Sequence, residues 1–260
     1  YSDGTTTSPL VLACGFSMTN TETRPVVMGA TGFATLQAAL TGSLPGETIH
    51  IAAGTYNPVS TGWTLDQSLR LVGPQVGVDP TAGGARASEA VLNGSLSVDA
   101  GVPRTILGGL STVYDAAFTT SVDLGADAKS VTLYQTILDC AVEPFSAVPS
   151  SSSGVVTSSS GMSDLTVYQN RFTGYRYAVT LNAAASDVVI DDNSFVTCLE
   201  ALVAEGTTGL KIIDNEIEAT AGLKFLAPAT SNIGVVLTGN DFAGYPAKSF
   251  YDDWPADTEP

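Results

Sequence analysis

Apolar residues fall at every second position in short runs along this chain, and the runs repeat. Five segments align without gaps: "VTLYQTIL" at 131, "LTVYQNRF" at 165, "VVIDDNSF" at 188, "LKIIDNEI" at 210 and "VVLTGNDF" at 235. One apolar column reads Val131, Leu165, Val188, Leu210, Val235, and a second reads Leu133, Val167, Ile190, Ile212, Leu237. Two-residue spacing is strand periodicity with one buried face. A third column, Leu138, Phe172, Phe195, Ile217, Phe242, follows a short turn. At that turn stand Thr136, Asn170, Asn193, Asn215 and Asn240, and the Asn positions step by 23, 22 and 25 residues. A fixed period of this size marks a repeat architecture. Val, Ile, Thr and Phe dominate, with Gly, Asn and Ser between them, so each repeat holds about three short strands and no helix. These features predict an all-β chain, a right-handed parallel β-helix with about 22–25 residues per coil. Each coil stacks about 4.8 Å above the last, and stability comes from the stack.

The stretch "GFATLQAALTGSLPGETIHIAAGTY", 32–56, reads differently. Phe33, Leu36, Ala39 and Leu40 form one helical face, so a helix is expected over 33–40, capping the open N-terminal end of the coil. The expected layout is an extension over 1–31, the β-helix over 32–245 and an acidic aromatic tail over 246–260. Residues 141–153, "AVEPFSAVPSSSS", read as an insertion between coils.

These pieces carry a resemblance. "FATLQAAL", "PGETIHIAAGTY", "LRLVGPQVGVDP", "EAVLNGSLSV" and "RTILGG", followed by the Asn-centred repeats, resemble the pectate-lyase-like superfamily of right-handed parallel β-helix proteins. The resemblance spans roughly residues 32–245. It implies the fold and leaves the activity open, because this fold serves lyases, hydrolases, adhesins and surface proteins.

The Asn column, Asn170, Asn193, Asn215 and Asn240, reads as architecture. At a tight turn, stacked side-chain amides bond one another from coil to coil, and Asn tolerates left-handed backbone. The neighbouring acids Asp191, Asp192, Asp214, Glu216 and Asp241 are read first as solvated surface or caps of that ladder. Their oxygens also suit Ca²⁺ or a carboxylate pair for glycoside hydrolysis. The resemblance strengthens both chemical readings, since lyases of the superfamily bind Ca²⁺ through carboxylates and its hydrolases use Asp clusters. Neither a Gly-Asp-Asp run nor a Gly-His-Gly is present, and the nearby bases Lys211 and Arg171 lie in no recognisable motif. No catalytic residue is therefore assigned. Alternation sends Asp191, Tyr134 and Tyr168 outward in one column, where stacked tyrosines can support a sugar ring or a partner chain. It sends the single histidine, His50, outward as well.

Charge and cysteine content narrow the remaining possibilities. With 26 acidic against 10 basic residues the formal net charge is −16, which disfavours nucleic acid as a partner. No apolar run approaches the ~20 residues that span a bilayer. The three cysteines, Cys14, Cys140 and Cys198, match no zinc spacing. Cys140 and Cys198 fall two coils apart, roughly 9–10 Å, too far for a disulfide; any disulfide would have to include Cys14. The chain opens on Tyr1 and reads as a mature form that has lost a signal peptide.

The expected function is a secreted or cell-surface structural protein, a self-assembling subunit of an extracellular filament, sheath or adhesive layer. A polysaccharide-active enzyme is the alternative. Pro9, Leu10, Val11, Leu12, Phe16, Tyr251 and Trp254 are the expected subunit contacts. No cofactor is assigned beyond Ca²⁺ as a candidate.

Overall fold

The computed structural model describes residues 23–26, 34–58, 62–82, 86–114, 120–140, 152–157, 161–182, 184–226, 232–243 and 250–252. The chain winds as a parallel β-helix with three faces. Face A is one sheet of nine parallel strands, running from Thr23–Val26 through Lys129–Tyr134, Ser163–Tyr168 and Ser186–Asp191 to Val236–Thr238. Faces B and C together form a second sheet. Face B holds strands such as Ile137–Cys140 and Arg171–Thr173, and face C holds Ser153–Thr157 and Tyr177–Leu181. In the last coils one strand runs through both faces, first Ser194–Glu205 and then Glu216–Leu226. The corner inside the first is a bulge between Val196 and Cys198, where Thr197 has a φ of 52°.

The register matches the sequence columns residue for residue. Val131, Leu165 and Val188 are paired in succession, as are Leu133, Val167, Ile190, Ile212 and Leu237. All but Leu237 of these are buried. Phe172 and Phe195 stack with centroids 5.0 Å apart and planes 12° from parallel. The core column therefore gains ring–ring contact as well as burial. The Tyr175 hydroxyl is also buried in this interior, where it is bonded to Ser121 Oγ at 2.7 Å.

A helix, α1, spans Leu36–Gly42 and buries Leu36, Ala39 and Leu40 on the first coil. It starts later than the expected 33–40 because Thr35 is its N-cap, with extended φ −139° and ψ 154°. The Thr35 side chain accepts from Ala38 N at 3.1 Å, which satisfies one of the helix's free N–H groups. Phe33 lies outside the described residues. Strands also occur in both expected end segments. Thr23–Val26 pairs with Thr48–Ile51 on face A, and Phe250–Asp252 pairs with the end of Glu216–Leu226 on face C.

The bend from face A to face B carries the Asn column. Asn193 Nδ2 donates to Val167 O and Asp191 O, both at 2.9 Å, and approaches Asn215 Oδ1 at 3.0 Å. Its Oδ1 accepts from Asn170 N at 2.8 Å. Asn170 and Asn215 repeat the pattern, Thr136 N donates to Asn170 Oδ1 at one end, and Asn240 closes the other. Asn170, Asn193 and Asn215 are fully buried. The residue before each ladder position is left-handed: Gln135, Gln169, Asp192 and Asp214 have φ between 49° and 53°. Such a conformation costs a non-glycine residue about 1–2 kcal/mol, which the ladder bonds offset.

Replacing Asn193 by Ala should lower stability by about 1–3 kcal/mol, because buried amides and carbonyls of three coils lose partners. Asn240→Ala should cost less, since Asn240 is only partly buried and water can replace part of what its side chain supplies. Ile190→Asp should cost several kcal/mol by placing a carboxylate in the core. Chemical denaturation of the three variants checks this order; equal midpoints would contradict it.

Candidate functional site

The outward side chains of face A are brought into one line by the register. Gly108, Tyr134, Tyr168 and Asp191 are successive partners on adjacent strands. Tyr168 is 36% exposed, and Tyr134 is half-buried because its ring lies over Gly108. A Cβ at Gly108 would overlap the Tyr134 ring, so this glycine sets where the ring lies. The left-handed turn residues form a second line beside the first. Gln135 Nε2 donates to Gln169 Oε1 at 3.0 Å, and Gln169 Nε2 donates to Asp192 Oδ2 at 2.9 Å.

Residues 73–89 wall this double line on one side. Gly73 N and Gln75 N donate to Gly108 O and Gly109 O, at 2.8 and 3.4 Å. Gly109 has a φ of 64°, and the space of its absent Cβ is filled by the backbone of Val76. Further on, Gly77 N donates to Gln135 Oε1 at 2.6 Å, and Arg86 Nη1 to Gln135 O at 3.0 Å. Arg86 is itself gripped by Glu89, Nε to Oε1 at 2.7 Å and Nη2 to Oε2 at 3.2 Å. The pair is largely buried, and burial works against charge on both partners, lowering the Arg86 pKa and raising that of Glu89. A buried, bidentate pair resists breaking more than it adds stability. Gln75 pinches the base of the loop by bonding Ala87 N and Ser88 O. The loop thus reaches over two further coils, leaving Val76 and Val78 exposed.

The acids divide across the bend. Asp191, Asp192 and Asp214 lie on the face A side, in adjacent coils. Glu216 and Asp241 lie beyond the Asn column on face B, where Glu216 receives Ser194 Oγ at 3.5 Å and Asp241 O accepts from Ile217 N at 2.7 Å. The Asp191 carboxyl is pushed above the ordinary carboxylate range, first by burial and then by the charges of Asp192 and Asp214. The Tyr168 hydroxyl is raised by desolvation and by Asp192, Asp191 and Asp79. Asp79 belongs to the loop, where its carboxylate is held by Thr81 N and Oγ1, both at 2.7 Å. Among the described residues no three His, Cys, Asp or Glu side chains are grouped to hold a metal ion.

Other sequence candidates lie elsewhere. His50 is exposed near the capped end of face A, well before the tyrosines. Arg171 is outward on face B, diagonal to Asp139, whose pKa burial raises and Arg171 opposes. Lys211 is outward on face A and exposed. Cys140 and Cys198 are both buried, with one strand, Arg171–Thr173, between theirs. Burial lifts the Cys198 thiol to about 12. Tyr251 lies on the Phe250–Asp252 strand, its backbone opposite Lys224. Pro9, Leu10, Val11, Leu12, Cys14, Phe16 and Trp254 fall outside the described residues. The loop contacts of 73–89 and the glycines beneath them had no forecast; their signal is the Gly-Gly pair of "LGG" at 107.

Fold and surface together define a parallel β-helix with an aromatic, amide and carboxylate ridge along one corner. No protein-family model matches the chain, and no curated protein sequence matches it. Among solved structures it is similar to the PL6 family alginate lyase AlyGC, at 11% identity and a TM-score of 0.36, covering 76% of this chain and 38% of that one. A point mutant of that lyase gives 12% identity and 0.37, over 78% of this chain and 39% of that one. The A-module of the Azotobacter vinelandii mannuronan C-5 epimerase AlgE4 gives 11% identity and 0.18, over 86% and 98%. The chain spans less than two fifths of the lyase's length. Among the described residues no helix is long and apolar enough to cross a membrane.

Asp191→Asn should stabilise the protein at pH 7. A raised folded-state pKa means that the folded state binds the proton more tightly, so stability falls as pH rises through the interval between the unfolded and folded values. The variant should gain up to about 1 kcal/mol above that interval, the size expected of partly exposed charges. The gain should vanish below the unfolded value of about 3.9. Thermal melts of both proteins from pH 3 to 8 measure it; a loss of stability at pH 7 would refute the repulsion.

Proposed function

We propose that the protein is a polysaccharide-active β-helix, and that a glycan lies along the coil axis over Tyr134, Tyr168 and Asp191. The observation that carries this reading is the in-register line of two tyrosines and an acid. Beside it runs the Gln135–Gln169–Asp192 line, and 73–89 forms a wall. Ring faces of Tyr offer an apolar platform to the C–H face of a sugar. Gln and Asp side chains offer hydroxyl partners at one step per coil. The wall is anchored by the buried Arg86–Glu89 pair and by glycines, which supports a preformed groove edge rather than one that must order on binding.

Asp191, Asp192 and Asp214 are the groups at this surface able to do chemistry. Burial first, and then the charges of Asp192 and Asp214, raise the pKa of Asp191. A carboxyl that holds its proton to higher pH suits the general acid of glycoside hydrolysis, with a second carboxyl as base or nucleophile. Asp191 is the proposed proton donor to the glycosidic oxygen, and Asp192 or Asp214 the second carboxyl. The likeness to the lyase and the epimerase adds nothing to this reading, which stands on the ridge alone. We infer from this reading that the protein works outside the cell or at the cell surface, where polysaccharides lie.

Affinity electrophoresis against a panel of neutral and acidic polysaccharides should show retardation by at least one. Tyr168→Ala should weaken that binding about tenfold or more, as loss of a stacking platform does. Asp191→Asn should keep the binding and abolish release of new reducing ends. Absence of retardation by every polysaccharide in the panel would overturn the proposal.

A further inference from the structure

The two ends of the coil are finished differently. At the first, α1 covers the core, and Gln67 Nε2 ties it down by donating to Leu40 O at 3.3 Å and Ser43 O at 2.8 Å. At the last, the core columns run out with no described element over them. Leu237 and Phe242 continue the columns of Ile212 and Ile217, which are 1% and 2% exposed; they are 42% and 37% exposed themselves. Ile233 and Val236 beside them are more exposed still. Among the described residues no strand pairs with the outer edge of Val236–Thr238. An apolar cross-section next to an open strand edge fits an occupant that brings both a β-strand and apolar side chains.

We propose that this occupant is a second copy of the same chain, stacked head to tail, with its residues 8–16, "SPLVLACGF", laid against the Leu237–Phe242 end. The segment has the required composition: apolar, β-prone and without charge. Its own chain cannot use it at this place. The Thr23–Val26 strand anchors it at the first end of face A. Face A has nine strands, so its last edge lies eight steps away, about 38 Å at ~4.8 Å per step. The seven residues from Phe16 to Thr23 reach about 25 Å when fully extended. In a head-to-tail stack the first end of one copy abuts the last end of the next, within that reach. Such a contact joins unlike surfaces and propagates until it is blocked.

Complementary blocks test it. One variant lacks residues 1–20 and keeps the bare end. The other keeps residues 1–20 and carries Leu237→Lys, with Ile233→Lys as a second version if the first fails to fold by circular dichroism. In sedimentation velocity the parent should form concentration-dependent oligomers, and each variant alone should remain a monomer. Mixed one to one, the variants should give a dimer and nothing longer, because only one productive contact remains. A monomeric parent at every concentration, association of the truncated variant alone, or a mixture that stays monomeric would each overturn the proposal.

Discussion

A parallel coil has to turn a corner three times per circuit without stranding backbone amides beneath the next coil, and here the sharpest corner is solved by a file of asparagines. Each side chain receives an amide hydrogen from the preceding coil and gives its own to one carbonyl of that coil and one of its own coil. The file fixes the axial register of faces A and B, and with it every apolar column. It also forces the preceding residue into a left-handed conformation, which turns that side chain out of the coil. The Gln135–Gln169–Asp192 line is therefore a by-product of the ladder. The candidate site stands where the architecture has already spent its strain.

The coil itself was legible because its period is written in residues that do one job at each position. Val188 and Ile190 are apolar because they point inward, and Asn193 is Asn because the turn is buried. The end rungs were harder to see. "TRPV" contains Pro25, which weakens any strand reading; it is tolerated because its strand is the edge of face A among the described residues. "FYD" is three residues long and takes its identity from the strand it joins. Rungs at an end are defined by what lies beneath them more than by their own composition.

The site was legible only in part. Alternation placed Tyr134, Tyr168 and Asp191 on one outward line, since that follows from period two alone. It could not show the 73–89 wall, whose contact to Gln135 joins residues 58 apart through hydrogen bonds that leave no periodic trace. Nor could it divide the acids: Asp214 and Glu216 are two residues apart in sequence yet lie on different faces, because the ladder residue between them turns the chain.

The merging of faces B and C into single strands, Ser194–Glu205 and Glu216–Leu226, has a mechanical meaning. A corner made by a bulge has no slack to pay out, so tension on the chain end there bears directly on the hydrogen bonds to the coil below. Released circuits of 22–25 residues would each lengthen the chain by about 80 Å at the extended rise per residue. A molecule pulled from its last coil would come apart in steps of unequal size, the bulge-cornered coils yielding in larger pieces than the loop-cornered ones.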